Sequence, residues 1–159
     1  MKYAAIALLC ACIVSGGFVY ASGLKAKMRL CEHFLSFLNF AKSEVTFSGA
    51  SVYEIVRKYV TLHPRQLPFL EHCQEPISAS VQEKVRENKV LEQAQKEYIL
   101  SFFAAFGKGD ESASLNLIEH CMESFDAEYR RCQKESAEKA KLIRRLSLLA
   151  AAGAAIIFI

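Results

Sequence analysis

Helix breakers are scarce in this chain. Only three prolines and seven glycines occur in 159 residues, and four of those glycines lie near or inside the two apolar ends. The middle is instead rich in Ala, Leu, Glu, Lys and Gln, residues that form helix readily. Signatures of chemistry are missing as well. No Walker A phosphate loop, no Gly-x-Ser-x-Gly elbow and no Cys-x-x-Cys pair occurs. Gly107-x-Gly109 is too short to cradle a phosphate, and no Lys-Ser or Lys-Thr follows it, so it reads as a turn. The expectation is a protein without catalytic residues, metal or cofactor.

Charge of one sign is also lacking. The formal net charge is only +3, which argues against a general nucleic-acid binder. The six cysteines form no compact disulfide framework: Cys10 and Cys12 sit in the first apolar stretch, and Cys31, Cys73, Cys121 and Cys132 are scattered through helical patterns. In a reducing compartment such residues act as small buried hydrophobes.

What the chain does have is two uncharged ends with basic residues on their inner sides. Tyr3 to Tyr20 carries no charge and is followed by Lys25, Lys27 and Arg29; Leu146 to Ile159 carries none and is preceded by Lys139, Lys141, Arg144 and Arg145. Basic residues beside a membrane segment stay on the cytoplasmic side and favour anionic lipids. Both clusters therefore place the middle of the chain in the cytoplasm and both termini across the bilayer. The organisation expected is an N-terminal transmembrane segment at 1–23, a cytoplasmic helical domain at 24–145 and a C-terminal transmembrane segment at 146–159. The last segment is short: as helix it spans about 21 Å against a hydrocarbon core of about 30 Å. Leu142 and Ile143 extend it, snorkelling of Arg144 and Arg145 helps, and local thinning covers the rest. A rival reading takes Val19-Tyr20-Ala21 as a signal-peptidase site, giving a secreted or lipid-anchored helical protein after cleavage near Ala21. The basic run after Ala21 resists export and favours an uncleaved anchor.

Apolar residues recur at helical spacing through the middle. Met28, Cys31, Leu35, Leu38, Ala41 and Val45 form one stripe, widened by Phe34 and Phe37, and Ser48-Gly49 ends it. A short helix is expected from about Ser51. Pro64 and Pro68 bracket a turn, and Pro76 opens what reads as one long helix with Ile77, Val81, Val85, Leu91, Ala94, Tyr98 and Phe102 along one face. Phe106-Gly107-Lys108-Gly109-Asp110 is the sharpest punctuation: glycine closes one helix and Asp110 caps the next. Two long helices joined by so short a turn must run antiparallel. The fold expected is all-α, an antiparallel helical bundle flanked by transmembrane helices.

His and Cys recur in pairs: Cys31 with His33, and His72-Cys73 and His120-Cys121, each of the latter inside a Glu-His-Cys-x-Glu string. Both are zinc-ligand types. Adjacent residues on a helix point about 100° apart, so a neighbouring pair rarely shares one metal, and a buried Cys beside a surface His is the expected arrangement.

Three stretches together resemble the stage III sporulation protein AB family. Glu44-Val45-Thr46-Phe47 is similar to its acidic, aliphatic, spacer, aromatic run. Phe106-Gly107-Lys108-Gly109-Asp110 is similar to its Leu-Gly-x-x-Asp turn. Lys141-Leu142-Ile143-Arg144-Arg145-Leu146-Ser147-Leu148-Leu149 is similar to its basic lead into a terminal anchor. The chain departs from the pattern where Ala50-Ser51-Val52 stands in place of a Thr-Pro-Leu helix start. The resemblance implies a membrane-anchored adaptor of the sporulation channel between mother cell and forespore, lying in the mother-cell membrane. Its domain would be similar to type II secretion F-type cytoplasmic domains and would dock a secretion-type ATPase. Partners implied are that ATPase, other channel subunits and membrane lipids. The resemblance makes Glu44 and Asp110 the candidate partner-binding residues; Gly107 and Gly109 form the turn.

Overall fold

A computed structural model describes the backbone of residues 2–158 and the side chains of 22–23, 25–139, 141–143, 145–146 and 149. Helices α1 (Lys2–Ser48), α2 (Val52–Leu62), α3 (Ile77–Glu87), α4 (Gln93–Ala105) and α5 (Glu111–Phe158) follow in order, with a 3-10 turn at Pro68–Leu70; among the described residues there is no strand. The all-α expectation holds. The chain divides into two compact units, Lys27–Arg130 and a second made of Met1–Ala26 with Arg131–Ile159.

The Lys27–Arg130 unit carries the hydrophobic core. Phe34 and Phe37 of α1 are fully buried at its centre. Phe34 meets Phe125 of α5 at 4.6 Å and Phe102 of α4 edge-on at 6.1 Å, while Phe37 meets Tyr59 of α2 edge-on at 5.2 Å. Tilted and edge-on pairs of this kind are favoured by the ring quadrupole beyond area burial alone. Within this unit Phe34 faces Phe125 and Lys42 pairs with Glu119, so α1 and α5 run antiparallel. The α4–α5 turn makes those two antiparallel as well, with Tyr98 near Phe125. The Tyr59 hydroxyl, deep in the core, lies 3.1 Å from both the His33 carbonyl and Gln66 Oε1, and burial raises its pKa. Between α2 and α3 the chain turns sharply, with Arg65 at positive φ donating its N–H to Glu71 Oε1 at 2.6 Å.

One expectation is corrected. The long helix read from Pro76 through Phe102 is two helices, antiparallel to each other, with Lys96 Nζ donating to the Arg86 carbonyl at 2.8 Å. Asn88 is the cause. Its Oδ1 accepts the N–H groups of Val90 (2.9 Å) and Leu91 (3.2 Å), offering the backbone an alternative to helix. Glu92 then starts α4 with a capping box to Gln95. The break resets the helical phase: Gln95 and Ile99 are buried, while Ala94 is exposed and Tyr98 is 39% exposed.

No helix among the described residues is long and apolar enough to cross a membrane. The segments 1–23 and 146–159, expected to be transmembrane, lie outside the described side chains except for Ser22, Gly23, Leu146 and Leu149.

Candidate functional site

The corner between α1 and α2 is built by short-range hydrogen bonds. Ser48 Oγ donates back to the Glu44 carbonyl at 2.7 Å, the chain reverses at Gly49 (φ 58°), and Ser51 caps α2. The capping box is reciprocal: the Glu54 N–H donates to Ser51 Oγ at 3.3 Å and the Ser51 N–H to Glu54 Oε2 at 2.9 Å. Those bonds from Ser51 hold the Glu54 carboxyl below its ordinary range. Glu44 projects from the last turns of α1 and accepts from Lys58 Nζ of α2 at 2.6 Å. That bond, aided by Ser48, lowers the Glu44 pKa. Beyond it Phe47 stands 86% exposed.

The α4–α5 turn sits against the same corner. Phe106 ends α4 with its N–H on the Phe102 carbonyl at 2.8 Å, and Gly107 takes φ 83°. A Cβ on Gly107 would lie 2.4 Å from Val52 Cγ2, so the turn packs directly on the first residue of α2. Asp110 then caps α5, its Oδ1 accepting the Ala113 N–H at 2.8 Å.

The structure thus brings the first two family-like stretches to one end of the Lys27–Arg130 unit, on different walls. Asp110 lines a cleft of about 280 Å³ with Val45, Val52, Ile55, Phe106 and Ser114. Glu44 lines an open groove of about 630 Å³ with Glu54, Arg57, Lys58 and Leu62. Gly49 and Ala50 border both. Gly109 lies on the rim of the smaller cleft, where a Cβ would approach that of Ala113 to 2.7 Å.

The basic flank does not share one environment. Lys25 and Arg29 are exposed. Lys27 is only 5% exposed and donates to Glu92 at the start of α4. That contact ties α1 to the start of α4. In the other unit Lys139 is partly buried beside Glu135 at 3.4 Å, Lys141 and Arg145 are exposed, and the Arg144 side chain lies outside the described residues. Leu142, Leu146 and Leu149 are exposed at spacings of four and three on α5, an apolar stripe beside those cations.

His120 and Cys121 part as adjacent residues on a helix must, whereas His72 and Cys73, expected within a helical pattern, lie in the non-helical link before α3 with His72 at positive φ. Cys31 and Cys121 are buried, while His33 is half-buried and His120 exposed. Burial pushes the Cys121 thiol up to about 12. Cys73 is half-buried and also raised by burial, an effect opposed by Lys84, whose Nζ lies 4.0 Å from its Sγ. Among the described residues no group of three or more His, Cys, Asp or Glu side chains is placed to hold a metal ion.

Sequence reasoning missed Lys58, Glu111 and Ser114 as parts of this end. Lys58 is fourteen positions from Glu44 and no local pattern links them. Glu111 and Ser114 lie in the first turn of α5, where periodicity assigns them helix-start duties, and only the packing of that turn on α2 brings them to the cleft.

These elements define an all-α protein whose first and last helices are long and whose loop clefts gather at one end of its core unit. The chain belongs to the stage III sporulation protein AB family, whose sequence model matches residues 2–159, and it is therefore a sporulation-related protein. No curated protein and no solved structure matches it.

Proposed function

We propose that this protein is a membrane-anchored helical adaptor of the sporulation channel between mother cell and forespore. Its Lys27–Arg130 unit stands in the mother-cell cytoplasm and docks a secretion-type ATPase, in the manner of type II secretion F-type cytoplasmic domains. The protein couples assembly and performs no chemistry of its own. Family membership supplies the sporulation context. The observation that carries the docking reading is the convergence of Glu44-to-Phe47 and Phe106-to-Asp110, far apart in sequence, on one end of the unit. Exposed Phe47 fits a surface meant to be covered, since aromatic residues are enriched at protein interfaces. The membrane reading is supported by the uncharged ends and by the exposed Leu142, Leu146 and Leu149 stripe beside Lys141 and Arg145. The basic flank of Lys25, Arg29, Lys141, Arg144 and Arg145 then meets anionic headgroups.

The test is co-purification. The full chain, extracted in mild detergent, is expected to retain the secretion-type ATPase of the same genome on an affinity resin. Phe47→Ala with Glu44→Ala is expected to abolish retention while the chain keeps its helical circular dichroism. Absence of retention by the wild-type chain would overturn the docking reading.

A further inference from the structure

We infer that the cleft between the α1–α2 corner and the α4–α5 turn is an anchor pocket for one long cationic side chain, an arginine or lysine presented by the docking partner. This deepens the docking reading above and rests on it for the identity of the partner, but the pocket has its own chemistry. Its walls are apolar: Val45, Val52, Ile55 and Phe106. Its rim is acidic, formed by Asp110 and Glu111 at the first turn of α5. One Asp110 oxygen is used by the Ala113 N–H, and Glu111 is exposed with no ion pair or hydrogen bond.

Ser114 is 9% exposed and lines the cleft, and its hydroxyl bonds no protein group while the oxygen keeps access to the cleft. A hydroxyl on a buried helical residue ordinarily bonds back to the carbonyl four residues earlier or finds another partner. Here the Ser114 hydroxyl makes neither that bond back to the Asp110 carbonyl nor another side-chain bond, and it lines the cleft as an available acceptor and donor. Apolar walls, an acceptor at depth and two carboxylates at the mouth complement an alkyl stem carrying a cation, because Arg and Lys bury their methylenes while their heads seek acceptors. Lys108 of the α4–α5 turn does not fill the role: it lines two other clefts, between α3 and α4 and beside Pro76. A cavity of about 280 Å³ is at the small end of ligand pockets, suited to a single side chain. Its shape depends on Gly107, whose lack of a side chain lets the turn press on Val52. An anion is disfavoured by the two carboxylates at the mouth, although the cleft lies at a helix N-terminus.

The experiment titrates the full chain in detergent with butylguanidinium, with butylammonium, and with neutral hexanamide as a control of similar length. Amide chemical shifts of Gly107, Asp110 and Ser114 are the readout. Both cations are expected to give saturable shifts at about millimolar concentration, the affinity usual for ligands of so few atoms. Hexanamide is expected to give none. Asp110→Asn keeps the helix cap and removes the charge, because Asn and Asp cap equally well. Combined with Glu111→Gln it is expected to weaken cation binding about tenfold, as loss of two charge-assisted contacts should. Absence of saturable shifts, an equal response to hexanamide, or undiminished affinity in the double variant each overturns the pocket. Failures separate cleanly. Cation binding without ATPase retention leaves the pocket standing and sinks the docking reading, while retention without cation binding does the reverse.

Discussion

Gly107 shows how one residue can fix the geometry of a surface. Its φ of 83° lies where residues with a Cβ are strained, and the space a Cβ needs is filled by Val52. Both penalties apply to Gly107→Ala, which is expected to cost about 1–3 kcal/mol. Thermal unfolding followed by circular dichroism should show a clear fall in the midpoint, and an unchanged midpoint would mean that the turn is not seated on α2. Gly49 also has positive φ but has open space around it, so the same substitution there meets only the backbone penalty. Glu44 offers a second single-residue test. The Lys58 ammonium and Ser48 hydroxyl hold its carboxyl below the ordinary value of 4.5. A carboxylate with a lowered folded pKa contributes stability above its unfolded pKa and loses it as pH falls through the folded value. Lys58→Met removes the main cause, so the Glu44 carboxyl is expected to titrate higher, nearer 4.5, by NMR. An unmoved titration would break the assignment of that shift to Lys58.

Among the elements, legibility followed the range of the interactions that define each one. The end of α1 at Ser48-Gly49, the start of α2 at Ser51 and the cap of α5 at Asp110 were all readable, because each rests on bonds between residues three or four apart. The α3–α4 break was not. Asn88 also acts locally, but an Asn within an amphipathic run costs little helix propensity, and Ile77, Val81, Val85 and Leu91 remain buried on either reading. What the continuous pattern concealed was the change of phase, which exchanges Ala94 and Tyr98 for Gln95 and Ile99 in the core. The pairing of Lys27 with Glu92 was hidden for a similar reason: the two are 65 positions apart, and no local pattern links them until the bundle is assembled. The candidate site was half legible. Its two motif stretches were visible, but their meeting depends on Val52 receiving Gly107. Asn88→Ala is expected to free the Val90 and Leu91 amides, raising their hydrogen exchange about fivefold, the equivalent of a lost hydrogen bond of about 1 kcal/mol. Exchange unchanged at both amides would show that the break is held by the flanking helices alone.

For the molecule as a whole, orientation is the property that decides between adaptor and exported protein. The net charge of +3 is small, but its placement beside both uncharged ends is not random, and positive flanks are retained on the cytoplasmic side. The link between α3 and α4 is a natural reporter of that orientation. Lys89 and Val90 are exposed, and the segment is non-helical, so a protease reaches it without unfolding either helix. With the protein expressed in membranes, trypsin is expected to cut after Lys89 in inside-out vesicles and to spare it in right-side-out vesicles. The exposed α5 stripe of Leu142, Leu146 and Leu149 is covered by lipid on the same reading, so Lys141 and Arg145 sit at the headgroups and are cut slowly from either side. Cleavage at Lys89 in right-side-out vesicles would place the core unit outside. It would remove the route to any cytoplasmic ATPase, and the secreted reading with processing near Ala21 would take its place.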